Sequence, residues 1–257
     1  MKTDLHMHTT YCDGNNTPEE MIESAIRRGL DVAGISGHSY MKEDDSYCMS
    51  LEGTEQYIAE VSELKKKYED RITVLLGIER DYLSDIDNSR FEYVIGSVHC
   101  VWKDGICIPV DWNADVLKQF ADRFCDGDMM TVAEMYYENV GGIVERSDCD
   151  IIGHFDLITK FIEQEAYPDT NDPRYIAAWK RAVDRIFEAW DRRERGKRAN
   201  DFCLHEFLGL SDVPIFEINT GAISRGYRTT PYPMPDQVEY IRTKGGVFIT
   251  NSDSHKA

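Results

Sequence analysis

Six of the seven histidines in this 257-residue chain stand just beyond a short apolar run, and that recurrence narrows the possible folds more than any other feature. The six are His6, His8, His38, His99, His154 and His255; His205 alone matches no strand end. The first run, Asp4-Leu5-His6-Met7-His8-Thr9, reads as a strand. Its alternating side chains put His6 and His8 on one face, able to hold one ion. Taken alone, such a pair is explained equally well by solvated strand-end histidines. Six histidines repeated over five apolar ends are what a polynuclear metal site at one end of a parallel barrel requires.

The runs over 32–36, 73–78, 93–98, 150–153, 213–219 and 247–250 are continuously apolar rather than alternating. Strands of that kind are covered on both faces, hence parallel and wrapped by helices. The intervening segments supply the helices. Thr17 as N-cap, Pro18 and a reciprocal Glu20 open the first, Met21, Ile22, Ala25 and Ile26 form its apolar stripe, and Gly29 stops it. Apolar periodicity predicts further helices over 54–68, 131–144, 175–190 and 236–243. Asp104-Gly105 marks a hairpin turn inside the aromatic stretch from Trp102 to Trp112, either a cover for substrate or a plain surface hairpin. About seven βα units result, so a closed or nearly closed α/β barrel is expected over residues 1–257 as a single domain. In such barrels the chemistry gathers at the C-terminal strand ends.

The candidate metal ligands are His6, His8, Asp13, His38, Glu79, His99, His154, Asp253 and His255. Nine nitrogen and carboxylate donors exceed the needs of one ion, and three ions sharing a carboxylate fit the count. Imidazole with carboxylate suits zinc, iron or manganese better than calcium or magnesium. The seven cysteines are odd in number and lack C-x-x-C spacing, as expected of reduced residues in a cytoplasmic protein. The start runs directly into the first strand, so no signal or transit peptide is expected. A net charge of −18 argues against nucleic-acid and anionic-membrane partners. It leaves room for a small phosphorylated substrate, because bound cations invert the local field. The basic run over 192–198 reads as a solvated helix end, and His205 as an ordinary surface or satisfied core histidine. The oligomeric state is not legible.

The motifs Asp4-Leu5-His6-Met7-His8-Thr9 with Asp13-Gly14, Gly34-Ile35-Ser36-Gly37-His38, Gly77-Ile78-Glu79, Gly96-Ser97-Val98-His99, Gly153-His154-Phe155-Asp156, Glu217-Ile218-Asn219-Thr220-Gly221 and Ser252-Asp253-Ser254-His255 span nearly the whole chain. In that order they resemble the PHP (polymerase and histidinol phosphatase) family, and within it the histidinol-phosphatase branch. The resemblance implies a distorted seven-stranded (β/α) barrel, TIM-barrel-like, with a trinuclear site. It places His6, His8, Glu79 and Asp253 on a first ion. Glu79 would bridge to a second held by His99 and His154, and Asp13, His38 and His255 would hold a third. The implied activity is hydrolysis of L-histidinol phosphate to L-histidinol and phosphate by a metal-bridging hydroxide. The rivals are a nucleotide or phosphotyrosyl-protein substrate, or a metal-binding regulatory module without turnover. An amidohydrolase would want a lysine at a middle strand end, where Glu79 and His99 stand. Arg225 and Arg228, on the loop after the sixth strand, are the candidate substrate-phosphate ligands. Asp156 is a candidate either for protonating the leaving alkoxide or for orienting a ligand. Two departures remain. The segment 155–210 is longer than a βα repeat needs. The chain also ends two residues after His255, where family members continue into a helix, so the chain is trimmed or its last strand less covered.

Overall fold

The computed structural model describes residues 1–42, 46–165 and 167–257. Its strands are β1 (Thr3–Asp4), β2 (Val32–Ile35), β3 (Thr73–Asp81), β4 (Tyr93–Ser97), the hairpin pair β5 (Cys100–Lys103) and β6 (Ile106–Pro109), β7 (Ile151–Ile152), β8 (Ile215–Asn219) and β9 (Val247–Asn251). Seven of them form one parallel sheet in the order β1-β2-β3-β4-β7-β8-β9. Its two edges face each other across a seam bridged at Met7 and Ser254. Side chains stitch the same seam, with Asn251 Oδ1 accepting from the Leu5 N–H at 2.9 Å and Asp4 Oδ1 from the Ser252 N–H at 3.2 Å. The sheet is therefore a nearly closed barrel, as the strand count predicts.

Strand alternation divides the apolar residues into two sets. Leu5, Val32, Leu75, Tyr93, Ile95, Ile151 and Ile215 fill the barrel interior, with Leu204 closing it from below. Ala33, Ile35, Val74, Leu76, Ile78 and Val94 face outward and join the larger core beneath the helices. Tyr93 occupies the barrel axis and donates to the Leu5 carbonyl at 2.6 Å. Gly34 and Gly77 make room for it: a Cβ at either would lie 2.2 or 2.1 Å from the Tyr93 ring or hydroxyl. Further along the strands the inward positions change character, from apolar Leu75, Ile95 and Ile215 to polar Glu79, Asp81, Ser97, Glu217, Asn219 and Asn251. The polar end is the C-terminal end.

The first helix, Pro18–Arg27, has the expected capping box between Thr17 and Glu20, and Gly29 follows at φ +71°. Helix Leu51–Tyr68 starts three residues before expectation because the Ser50 hydroxyl accepts from the Gly53 N–H. The segment expected as one helix over 131–144 is two, Met129–Gly141 and Ile143–Ser147. An unexpected helix, Ala114–Phe124, precedes them, capped by Asn113 and burying Leu117, Phe120 and Ala121. The long helix Pro173–Arg192 packs on Met129–Gly141, closely enough that a Cβ at Gly141 would lie 3.1 Å from Ala182 Cα. The last helix is Pro235–Thr243. The turn at Asp104 and Gly105 has φ +50° and +81°, as the hairpin reading requires.

The basic run is a solvated helix end only in part: Arg192 closes the helix and is exposed, as are residues 194–197, while Arg193 and Arg198 turn inward. The Arg193 guanidinium lies 3.0 Å from the centre of the Trp190 ring. Arg198 is buried, with Nε 3.0 Å from Asp150 Oδ2 and Nη1 3.1 Å from Asp148 Oδ2. The run folds under the barrel floor because three aspartates distant in sequence (Asp148, Asp150 and Asp212) meet it there. The segment 155–210 thus supplies a pocket wall, the long packing helix and the floor. β9 is less covered than its neighbours, with Val247, Phe248 and Ile249 partly exposed. Among the described residues no helix is long and apolar enough to cross a membrane.

Candidate metal centre

All nine sequence-predicted ligands converge on the polar mouth of the barrel. Eight are carried there by the strands: His6 and His8 after β1, His38 after β2, Glu79 near the end of β3, His99 after β4, His154 after β7, and Asp253 and His255 after β9; Asp13 comes from the turn that follows His8. Glu79 is the hub. Its Oε1 lies 2.9 Å from His154 Nε2 and 3.3 Å from His99 Nε2. Its Oε2 lies 3.3 Å from His6 Nε2, 3.5 Å from His8 Nε2 and 2.8 Å from His38 Nδ1. Asp253 Oδ1 stands 3.2 Å from His8 Nε2 and 3.7 Å from His6 Nε2. Asp13 gathers His8, His38 and His255 at 3.7, 3.7 and 3.2 Å.

Among the described residues three groups have ligand atoms close enough to share an ion: His6, His8 and Asp253; His38, Glu79 and His99; and His8, Asp13, His38 and His255. His8 and His38 each belong to two groups. Among the described residues His6 Nε2, His8 Nε2 and Glu79 Oε2 are buried and make no hydrogen bond. Buried polar atoms left in that state are rare in folded proteins and call for a partner such as an ion. Six imidazoles and three carboxylates around such atoms fit divalent transition metals. The centre therefore binds metal.

A second set of carboxylates, missed from sequence, fixes the rings. Glu217 Oε1 lies 2.7 Å from His6 Nδ1, while its Oε2 accepts from the His154 N–H at 2.9 Å. Asn219 and Asn251 donate to the same carboxylate at 2.9 and 3.0 Å. Asp81 Oδ2 lies 3.0 Å from His99 Nδ1. With Nδ1 held by a carboxylate, each ring presents Nε2 to the centre. The available signal was a charged residue on the inward side of an apolar strand, as Glu217 is between Phe216 and Ile218.

The charges are strongly coupled. Burial works against ionisation throughout, yet His6, His38 and His99 hold the Glu79 carboxyl well below its ordinary range. For His6, burial is outweighed by Glu217, Glu79 and Asp253, and its pKa is raised. His8 goes the other way, to about 3, through burial and the neighbouring His255 and His38.

Above the centre lies a pocket of about 280 Å³. Asp13, His38, His99, His154, Asp253 and His255 form its base, while Tyr47, Asp111, Trp112, Lys160, Arg225 and Tyr227 stand around it. Of the two predicted phosphate ligands, the pocket receives one. Arg225 lines it, with Nη2 3.0 Å from Asp253 Oδ2. Arg228 is turned into the protein instead, 3% exposed, donating to Thr159 Oγ1 at 2.6 Å and lying over the Tyr232 ring. Three residues further along the loop the chain has curled inward, which residue spacing in an aperiodic loop does not reveal. Asp156 is also fully buried and off the pocket. It accepts from the Met234 N–H at 3.2 Å, and burial, opposed by Arg228, raises its pKa to about 6. Lys160, which no sequence argument singled out, does reach the pocket. His205 lies at the opposite end of the barrel.

The family model of the PHP domain matches residues 4–194. Among curated proteins the chain is 27% identical over 267 residues to the "Probable histidinol-phosphatase" of Deinococcus radiodurans, covering 98% of this chain and 86% of that one. A crystal structure from Listeria monocytogenes matches with a TM-score of 0.77 at 20% identity, covering 99% of this chain and 96% of the other. Histidinol phosphate phosphatase from Lactococcus lactis, solved with zinc, L-histidinol and phosphate, matches with a TM-score of 0.64 at 20% identity, with coverages of 99% and 86%. At these identities the structural likeness establishes the barrel.

Proposed function

Because the chain belongs to the PHP domain family, we propose that it is a metal-dependent phosphomonoesterase that hydrolyses L-histidinol phosphate to L-histidinol and phosphate. One observation carries the reading: Glu79 presents each of its carboxylate oxygens to a different set of histidines, beneath an open pocket that Arg225 lines. The relatives support the substrate, since the Deinococcus protein bears the histidinol-phosphatase name and the Lactococcus structure holds histidinol and phosphate on the same barrel.

The donor groups support three ions of zinc, iron or manganese. His6, His8 and Asp253 would hold the first, His99 and His154 the second, with Glu79 between them. Asp13, His38 and His255 would hold the third. Bound divalent ions lower the pKa of water towards neutrality and absorb charge developing on phosphoryl oxygens. The chain's own residues do the rest. Glu217 and Asp81 keep the His6 and His99 rings in register, and Arg225 offers a guanidinium to the phosphoryl group from the pocket side. Residues 1–257 act as one unit in this reading, because the centre needs both ends of the chain.

The test is a substrate panel on metal-loaded protein, with elemental analysis alongside. The expected result is close to three transition-metal ions per chain and a marked preference for histidinol phosphate over nucleotides and phosphotyrosyl peptides. Preference for either rival substrate overturns the substrate assignment. Full metal content with no turnover of any ester overturns the phosphatase.

A further inference from the structure

Among the described residues three carboxylates line the pocket, Asp13, Asp111 and Asp253, and Asp111 alone of the three stands outside every group of potential metal ligands. It follows the β5–β6 hairpin, next to Trp112, which is 71% exposed at the rim. Lys160 Nζ donates to the Asp111 backbone carbonyl at 2.7 Å and reaches Oδ2 at 3.2 Å. Among the described residues nothing hydrogen-bonds to Oδ1, and the side chain keeps 30% of its surface exposed. The neighbouring Lys160 also favours its ionised form over the opposing effect of burial. An anionic group beside a site for phosphate dianions repels the substrate. That arrangement makes sense when the substrate itself brings a cation.

We propose that Asp111 is a specificity residue, its free carboxylate oxygen receiving a cationic ammonium on the leaving group of the ester. This rests on the phosphatase reading above. Histidinol phosphate carries a primary ammonium on the carbon next to the ester carbon, and its imidazole would lie against the Trp112 and Tyr227 rings that frame the same side of the pocket. The hairpin between β4 and the next helix is then the part of the barrel that reads the alcohol, while the metal centre and Arg225 read the phosphate.

The experiment compares kcat/KM for histidinol phosphate and for 3-(imidazol-4-yl)propyl phosphate, which lacks only the amine, in wild type and Asp111→Asn. Metal content is matched by elemental analysis. Wild type should favour the amine ester, and Asp111→Asn should shrink the ratio of the two by about tenfold to a hundredfold, the range of a charge-assisted hydrogen bond. Asp111→Glu should restore part of it. Inhibition of the wild type by histidinol against its amine-free alcohol reads the same preference without a variant. An equal fall on both esters overturns the proposal, because Asp111 would then act only by positioning Lys160. A wild type that hydrolyses both esters equally overturns it while leaving the phosphatase standing. Hydrolysis of neither, at full metal content, removes both.

Discussion

The two ends of the barrel are built from the same residue types and treat them in opposite ways. At the floor, Arg198 bonds Asp148 and Asp150, Asp150 also accepts from the Val94 N–H at 2.9 Å, and Arg195 meets Asp212 and His205. At the mouth, six histidines and three carboxylates crowd together, yet His6 Nε2, His8 Nε2 and Glu79 Oε2 are buried without a hydrogen bond. Satisfied charges hold a structure together; unsatisfied ones wait for a ligand. Charge and burial alone would not separate the two ends. The state of their polar atoms does.

The largest effect expected from breaking this contrast is at Glu79. Glu79→Gln keeps the shape but removes the charge that its five imidazole neighbours share. Turnover should fall by about a thousandfold or more, equivalent to roughly 4 kcal/mol of barrier. Metal content should fall with it, while the circular dichroism spectrum stays that of the wild type. Full activity and full metal content in this variant would show that Glu79 does not bridge.

The contrast also explains what could be read in advance. The mouth was legible because its ligands sit at the ends of apolar strands, where composition changes abruptly within one or two residues. His99 after Val98 and Asp253 after Asn251 are examples. Glu217 and Asp81 were harder: both lie inside strands, and although Glu217 opens one of the motifs, nothing in the sequence says that either holds the ring of a candidate ligand. Helix Ala114–Phe124 was missed because its buried face is three residues wide and lies beside turn-rich sequence. The floor was only half read, for a different reason. The run over 192–198 looks solvated until the fold brings Asp148, Asp150 and Asp212 to it. Arg228 shows the same limit, since nothing local says which way a loop arginine turns.

Removing a floor charge should cost stability and leave chemistry alone. Arg198→Ala strands Asp148 and Asp150 without their partner, and breaking a buried pair from one side costs about 3–5 kcal/mol. Urea denaturation should show that loss, with metal content unchanged and kcat near wild type in protein that remains folded. A variant that instead loses metal would tie the floor to the mouth and dissolve the contrast.

Arg225 tests whether a charge at the mouth can be functional without holding metal. Arg225→Ala removes a charge-assisted contact of about 1.5–3 kcal/mol, so kcat/KM should fall roughly tenfold to a hundredfold. Inorganic phosphate should inhibit less, and metal occupancy should stay the same. Because Nη2 also lies 3.0 Å from Asp253 Oδ2, loss of metal in this variant would mean that Arg225 acts through Asp253. Normal kinetics and normal phosphate inhibition would remove it from the site.

The smallest and most discriminating change is at His205, the one histidine away from the mouth. It is 3% exposed, with Nε2 2.8 Å from the Val213 carbonyl and Nδ1 3.0 Å from Arg195 Nη2. One nitrogen donates and the other accepts, which is the neutral ring. His205→Ala should leave turnover and metal content alone and cost about 1–3 kcal/mol, the range for leaving a buried polar group unpaired. Burial lowers the His205 pKa in the folded protein, with Arg195 adding to the effect. The unfolded chain, with a pKa near the ordinary ~6.5, takes up a proton there before the folded one does. The stability that His205 contributes is therefore complete above about pH 6.5 and is lost as pH falls below it. Denaturation of wild type and variant at pH 8 and pH 5.5 should show the difference between them shrinking at the acid end. A difference that grows on acidification would mean His205 is protonated in the folded protein, and the floor would then carry an uncompensated charge of its own.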